Sequence, residues 1–258
     1  MDIPVTSFQA FFLVFTRVGG VVVTLPILSS RNIPAPAKIG LAALLAFTMM
    51  PGAIDAQPVV PNAFLPFLLV VAQELLVGLA FGFAAQVVFS GLQTAGQLIG
   101  TQMGLTIASA FDPVSQSQQV NYIDQLYTLL AGLVFLTING HHWTILALQQ
   151  SFEIVPLGRL ALGEAVANDF VRLTAEALVM SVRIGLPVAA TLIVTDVAFL
   201  LIGRSAPQMN VFFVGQPLKI GIGLVAFFVA LPVMVGLMGT VFKTLSDDLM
   251  RLLQLIGA

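Results

Sequence analysis

Four ionisable side chains stand inside stretches that are otherwise apolar: Arg17, Glu74, Arg183 and Asp196. At the centre of a bilayer-spanning helix each would cost about 2.5–3.5 kcal/mol on insertion scales, so each has to pair, face water or reach an interface. For Arg17 and Glu74 two arrangements are open. They form an ion pair, with each other or with charges on partner subunits, or each snorkels separately to an interface. A proton relay through Glu74 or Asp196 would need a continuous line of titratable groups, which the chain does not offer. His141 and His142 are the only histidines. Neighbours on a helix point about 100° apart, so they do not make the i, i+4 pair that holds a metal, and a capping role after Asn139-Gly140 is the simpler reading. The chain has no cysteine, hence no disulfide and no thiolate nucleophile or ligand. It has no Walker A loop for nucleotide hydrolysis. These features predict no enzyme, no cofactor and no metal.

A second set of polar groups is arranged for contact rather than reaction. Gln86, Ser90, Gln93, Thr94, Gln97 and Thr101 recur every three or four residues, one stripe of a helix. Gly82, Gly96, Gly100 and Gly104 lie on or beside that face. Glycines at such spacing let another backbone approach closely, and amides hydrogen-bond across the contact. Two readings stay open: an ordinary buried helix–helix contact, or a helix lining a pore or subunit seam. This helix is expected to end near Thr106. Asp112-Pro113 disfavours the helical conformation, and Ser115 to Asn121 is polar and uncharged, so it reads as loop. Ile107 and Phe111 are apolar anchors in or near it.

The elements that position these groups are apolar. Of 258 residues, 58% are hydrophobic and only 9% charged, with a mean hydropathy of +1.02; soluble domains carry about 25% charged residues. The chain is therefore an integral membrane protein. A net charge of −2 leaves no basic footprint for nucleic acid. The opening MDIPVTSFQ has an acidic residue, no basic region and no small-residue cleavage site, so the N-terminus is expected to be retained.

In chain order, residues 8–28 form a first apolar segment, and 39–50 a second that ends at Pro51. A third starts near Phe64 and runs into the glycine-rich helix as one long, bent element. Residues 122–138 form a helix stopped by Asn139-Gly140. Residues 143–163 are mixed, with Pro156 and Gly158 breaking any helix. A long helix is expected from about Glu164 to Ile202, kinked at Pro187. Residues 203–219 read as loop, 220–242 as a last apolar helix, and the tail as an amphipathic helix with Leu245, Leu249, Leu252, Leu253 and Ile256 on one face.

Pro36-Ala37-Lys38-Ile39-Gly40 echoes Pro217-Leu218-Lys219-Ile220-Gly221. The echo is either two independent positive-inside anchors or two related hairpins. Basic loops at 29–38 and 203–219 point to the cytoplasm, but six simple spans would leave Arg159, Arg172, Lys243 and Arg251 opposite, so the bias cancels. Some segments are then expected to pack within an assembly rather than span simply.

Several motifs occur together in order: Glu74 with Gly78 and Gly82, Ala95-Gly96, Gln102-Met103-Gly104, Asp112-Pro113, Gly140-His141-His142, Arg204-Ser205-Ala206-Pro207-Gln208-Met209-Asn210 and Gly215-Gln216-Pro217-Leu218-Lys219. Over nearly the whole chain they resemble the FliR family of flagellar export-gate subunits, which has counterparts in virulence type III secretion. The resemblance implies an all-α integral membrane protein built of long kinked hairpins. It implies an inner-membrane, basal-body subunit that assembles with FliP and FliQ, and with a FlhB-like subunit, around a pore for unfolded export substrates. It implies a FliP-like part over about 1–150 and a FliQ-like part over about 151–258, much of it above the usual membrane plane. Thr106, Ile107, Phe111, Asp112, Pro113 and Gln116 would lie in a plug loop, with Ile107 and Phe111 blocking. Gly96, Gly100, Gly104, Arg204, Pro207, Gln208 and Asn210 would serve subunit packing. Energy would come from the proton motive force and a separate ATPase. From the residues alone, a secondary transporter with a midplane site near Pro187 or the central loop and a scaffold without a conduit stay open. The transporter would need convergent polar groups.

Overall fold

The computed structural model describes residues 5–30, 32–55, 61, 63–105, 122–161, 163–205, 208 and 211–257. Among the described residues there are seven helices and no strand, so the chain is all-α as expected: α1 (Val5–Thr24), α2 (Ala35–Asp55), α3 (Phe64–Gln102), α4 (Tyr122–Thr137), α5 (Gly140–Ile154), α6 (Glu164–Ser205) and α7 (Val211–Gly257). α2, α3, α6 and α7 are long and apolar enough to cross a membrane, and α4 with α5 forms a bent pair that makes a fifth span if counted as one. Among the described residues that is fewer than six simple spans, because the apolar run of α1, Phe8–Thr24, falls short of a span and α4 counts only together with α5.

Several boundaries differ from the sequence reading for identifiable reasons. α1 stops at Thr24 and residues 25–28 turn. Their backbone is held by the Leu25 and Ser29 N–H groups donating to Val21 O and Leu25 O at 2.8 Å each. α2 runs through Pro51 to Asp55, and α7 contains both Pro217 and Pro232. In apolar bundles a proline within a helix is tolerated where neighbouring groups satisfy the freed carbonyl. The expected loop at 203–219 therefore shrinks to the break between Ser205 and Val211, and the tail continues α7 without interruption. α3 ends at Gln102 rather than near Thr106. Gly104 takes φ 82 and its N–H donates to Thr101 O at 3.0 Å, while Met103 N–H donates to Ile99 O at 2.8 Å. A left-handed glycine closing the last turn is the usual way a helix stops.

Between α4 and α5 the chain bends by 69° at Asn139, which sits at φ 60 in the left-handed region. The stop at Asn139 is the expected one, but Gly140 starts a new helix at once. The mixed stretch after 143 is thus mostly helical, up to the break at Val155 that Pro156 and Gly158 enforce.

Two compact units divide the chain. One gathers the residues up to Val88 with Asn139–Ala175 and Phe242–Ala258. Its core holds Leu13, Val14, Phe81, Phe152 and Leu157 together with Leu245, Leu249, Leu252, Leu253 and Ile256, the apolar face read from the tail. The Ala161 N–H donates to Ile256 O at 3.0 Å. The second unit gathers Phe89–Ile138 and Glu176–Val241 around Leu92, Ile99, Met103, Tyr127, Ile184, Leu192 and Met234.

Candidate functional site

The first unit is built round Arg17 and Glu74, which the structure brings together. Arg17 Nε donates to Glu74 Oε2 at 2.6 Å, with the two side chains 0% and 1% exposed. The rest of the guanidinium is equally committed. Nη1 donates to Ser151 O at 2.9 Å and to Ser151 Oγ at 3.3 Å, and Nη2 donates to Val155 O at 2.9 Å. The guanidinium carbon lies 4.5 Å from the centre of the Phe152 ring. Those carbonyls lie at the C-terminal end of α5, where Ser151 O also accepts the Val155 N–H at 2.9 Å and the helix dipole is negative, so a cation there is well matched. Glu74 Oε1 accepts the Gly158 N–H at 2.9 Å, and Gly158 itself is at φ 80. One arginine and one glutamate thus join α1, α3, the end of α5 and the turn after it.

Small residues let these helices approach closely enough. A Cβ at Gly78 would run into the Arg17 backbone carbonyl, one at Gly20 would lie 3.1 Å from the Gly78 carbonyl carbon, and one at Gly82 would strike the Thr24 side chain. Gly78→Ala should therefore push α1 from α3 one turn from the ion pair and cost about 1–3 kcal/mol, the usual penalty of overpacking. Gly19→Ala, whose added methyl meets nothing within 4 Å, should cost nothing. Thermal unfolding of the two purified variants separates them; equal midpoints would contradict the close approach.

In the second unit, three helices converge on Asp196. Lys219 Nζ lies 2.7 Å from Asp196 Oδ1 and 2.8 Å from Oδ2, and Gln102 Nε2 donates to Oδ2 at 3.3 Å. The lysine side chain is 11% exposed and the aspartate 40%. Sequence reasoning treated Lys219 as a topological anchor and missed this pairing. The signal was present: Asp196 lies nine residues before Ser205 and Lys219 eight after Val211, so an antiparallel hairpin brings them nearly level. The echoing Lys38 does something else, donating to Ser29 O at 2.9 Å.

On α3 the glycine and amide faces separate. Gly91, Gly96 and Gly100 are buried. A Cβ at Gly91 would lie 2.8 Å from Ala177 O on α6, and one at Gly96 would lie 3.0 Å from Tyr127 Cβ on α4. Gln97 and Thr101 are exposed and Gln93 and Gln102 half-buried, with Gln97 Nε2 at 3.4 Å from Asp124 Oδ2. Gly104 is buried against the Gln216 side chain of α7. Arg183 is exposed on α6 beside the exposed Val182 and Leu186, and Arg204 and Gln208 are exposed. Thr106, Ile107, Phe111, Asp112, Pro113, Gln116, Pro207 and Asn210 lie outside the described residues. His141 and His142 are exposed in the first turn of α5, where the His142 and Trp143 backbone N–H groups donate to Asn139 O at 2.9 and 3.2 Å. No metal-holding group of three or more His, Asp or Glu occurs among the described residues.

Arg172 and Arg251, which the sequence left stranded by topology, belong to a charge cluster in the first unit. Arg172 Nε is 3.0 Å from Asp169 Oδ1, Arg172 Nη2 is 2.8 Å from Asp248 Oδ1, and Arg251 Nε is 3.2 Å from Asp169 Oδ1. A groove of about 840 Å³ in the second unit runs beside Pro187, Pro217, Gly221, Val225 and Val229, with Thr191 its one hydroxyl. It lacks the convergent polar groups a transported solute would need.

With this geometry in hand, comparison with known proteins is specific. The family described as "Bacterial export proteins, family 1" matches residues 8–245. The flagellar biosynthetic protein FliR of Escherichia coli (strain K12) is 34% identical over 250 residues, covering 94% of this chain and 93% of the relative. FliR of Bacillus subtilis (strain 168) is 32% identical over 260 residues, covering 100% and 99%. FliR of Aquifex aeolicus (strain VF5) is 31% identical over 231 residues, covering 90% and 88%.

Proposed function

Because the chain belongs to the FliR family of bacterial export proteins, we propose that it is a core subunit of the flagellar type III export gate. In this reading it packs with FliP and FliQ subunits, and against a FlhB-like subunit, around the pore that unfolded export substrates enter. It sits in the bacterial inner membrane at the flagellar basal body, and residues 106–121 act as a plug. A role in flagellar export and a membrane location rest directly on the family and on the four apolar spans. The relatives are named for flagellar biosynthesis and not for a catalytic activity.

One observation carries the assembly. α3, α6 and α7 have 39, 42 and 47 residues, or roughly 58, 63 and 70 Å along the axis at 1.5 Å per residue. A hydrocarbon core is about 30 Å thick. Yet exposed apolar side chains run far along two of them, from Phe64 to Leu98 on α3 and from Val171 to Ile202 on α6, roughly 45–50 Å in each case at 1.5 Å per residue. Lipid tails cannot cover all of that surface, so other apolar helices do. We read the chain to about residue 150 as the FliP-like part and 151–258, which holds the α6–α7 hairpin, as the FliQ-like part.

Co-purification with FliP and FliQ, followed by imaging of the complex, tests the reading; a chain recovered alone and stable would sink it. A point variant sharpens the test. Gly236 is exposed on α7 and a Cβ there meets nothing within 4 Å. Gly236→Leu should leave the chain's own stability unchanged while reducing co-purified partners severalfold, if a neighbouring helix packs on that face. Unchanged recovery of partners would remove Gly236 from the interface.

A further inference from the structure

We propose that Asp196 is a positioning residue: its carboxylate fixes the register of the α6–α7 hairpin and ties the end of α3 to it. Three observations converge on this. The carboxylate takes Lys219 from α7 across both oxygens and Gln102 from α3 on one of them. Two residues beyond Gln102, the left-handed Gly104 is lodged against Gln216 of α7. Beside these polar groups the helices meet through apolar and small residues: Phe199 faces Gly215, and Met103 and Leu192 face Gly223.

Such surroundings specify little. Apolar and small side chains on two long helices offer several registers of similar packing, because each contact is replaced by a like one. An ion pair does not slip in that way. A one-residue slide moves a side chain 1.5 Å along the axis and turns it by about 100°, which would take the mostly buried Lys219 from the aspartate and leave its charge unpaired. Single polar pairs in otherwise apolar helix seams are the best-attested device for choosing one register. Gln102 extends the choice to a third helix. Its amide carries a donor and an acceptor, so it can serve either sign of charge at residue 196. The inference rests on the export-gate reading only for its consequence: α3 leaves this junction toward the residues assigned to the plug.

The test exploits the absence of cysteine from the chain. Two introduced pairs report the two alignments within the chain in membranes of the expressing cell: Phe199→Cys with Gly215→Cys for α6 against α7, and Met103→Cys with Gly223→Cys for α3 against α7. Asp196→Asn and Lys219→Gln should each lower both crosslink yields by about threefold or more. Asp196→Lys with Lys219→Asp should bring both back to within about twofold of the parent. Gln102→Leu should lower the 103–223 crosslink and spare the 199–215 one. Loss of the chain in the single variants with recovery in the swap supports the assignment equally. Unmoved crosslinks in both single variants, or a swap that recovers nothing, overturns it. The crosslinks are read within one chain, so they stand whether or not FliP and FliQ co-purify; failure of the clamp and failure of the export-gate reading are therefore distinguishable.

Discussion

Glu74→Leu is expected to lower the stability of the chain by about 3–5 kcal/mol and to empty the membrane of it, because it leaves Arg17 as an unpaired buried cation. The magnitude is large for a single substitution since three losses coincide. The salt bridge at 2.6 Å goes, the Gly158 N–H loses its acceptor, and a charge that is 0% exposed has no water to turn to. Arg17→Leu should be comparably severe, for it also removes the guanidinium donors from the Ser151 and Val155 carbonyls at the end of α5, of which Ser151 O keeps only the Val155 N–H. The charge-exchanged pair, Arg17→Glu with Glu74→Arg, is expected to fail as well. It would put a carboxylate against those two carbonyls, so its failure says nothing against direct pairing. The informative double variant is Arg17→Met with Glu74→Met, which removes both charges and keeps bulk. It should be milder than either single change, as replacement of buried ion pairs by apolar residues often is. Thermal unfolding in detergent and accumulation in membranes measure this; a double variant as damaging as the sum of the singles would show two independent roles.

Deletion of residues 107–117 is expected to leave the complex assembled and make the cell membrane leaky to ions and small solutes. The segment is Ile107 to Ser117, with Asp112 its single charge. A barrier that must hold back ions and yet release any passing polypeptide cannot rely on side-chain-specific bonds. Apolar groups such as Ile107 and Phe111 meet both demands, since they exclude water without recognising sequence. The measurement is uptake of a small impermeant dye or ion-driven osmotic lysis, compared with the same complex carrying the full segment. Unchanged permeability in an assembled complex would dispose of the plug and leave a scaffold role. Asp112→Ala should have little effect beside it, because a seal of this kind depends on apolar bulk.

Sequence alone carried the class and most of the helices. Hydropathy and period located α1, α3, α4 and α6, and the leucine face of the tail proved buried at each of its five positions. Prolines misled where the reading treated them as breaks: Pro51 and Pro217 lie within helices, since apolar packing holds a helix together around one missing hydrogen bond. α5 was missed because its composition is mixed, although Thr144, Ala147, Leu148, Ser151 and Phe152 recur at helical spacing and are its buried side. That omission hid the rest of the Arg17 site. Complementary charges can be matched by inspection, but the two backbone carbonyls that complete the arginine's bonding belong to no residue type. Asp196 and Lys219 were both visible; what was lacking was the hairpin length that sets them level. Gly104 was read as a packing glycine and is also the residue that turns the chain out of α3.

The exposed apolar stretches of α3 and α6, each longer than a bilayer core is thick, have a consequence for the living cell. A protein whose oily helices overshoot the bilayer has nowhere to wait alone. An orphan copy would present a greasy shaft to water, where chaperones, proteases or aggregation would claim it. Its lifetime would then be set by how promptly neighbours arrive, and its synthesis has to be timed with theirs. Supply in excess would yield degradation products, not a reserve of spare subunits.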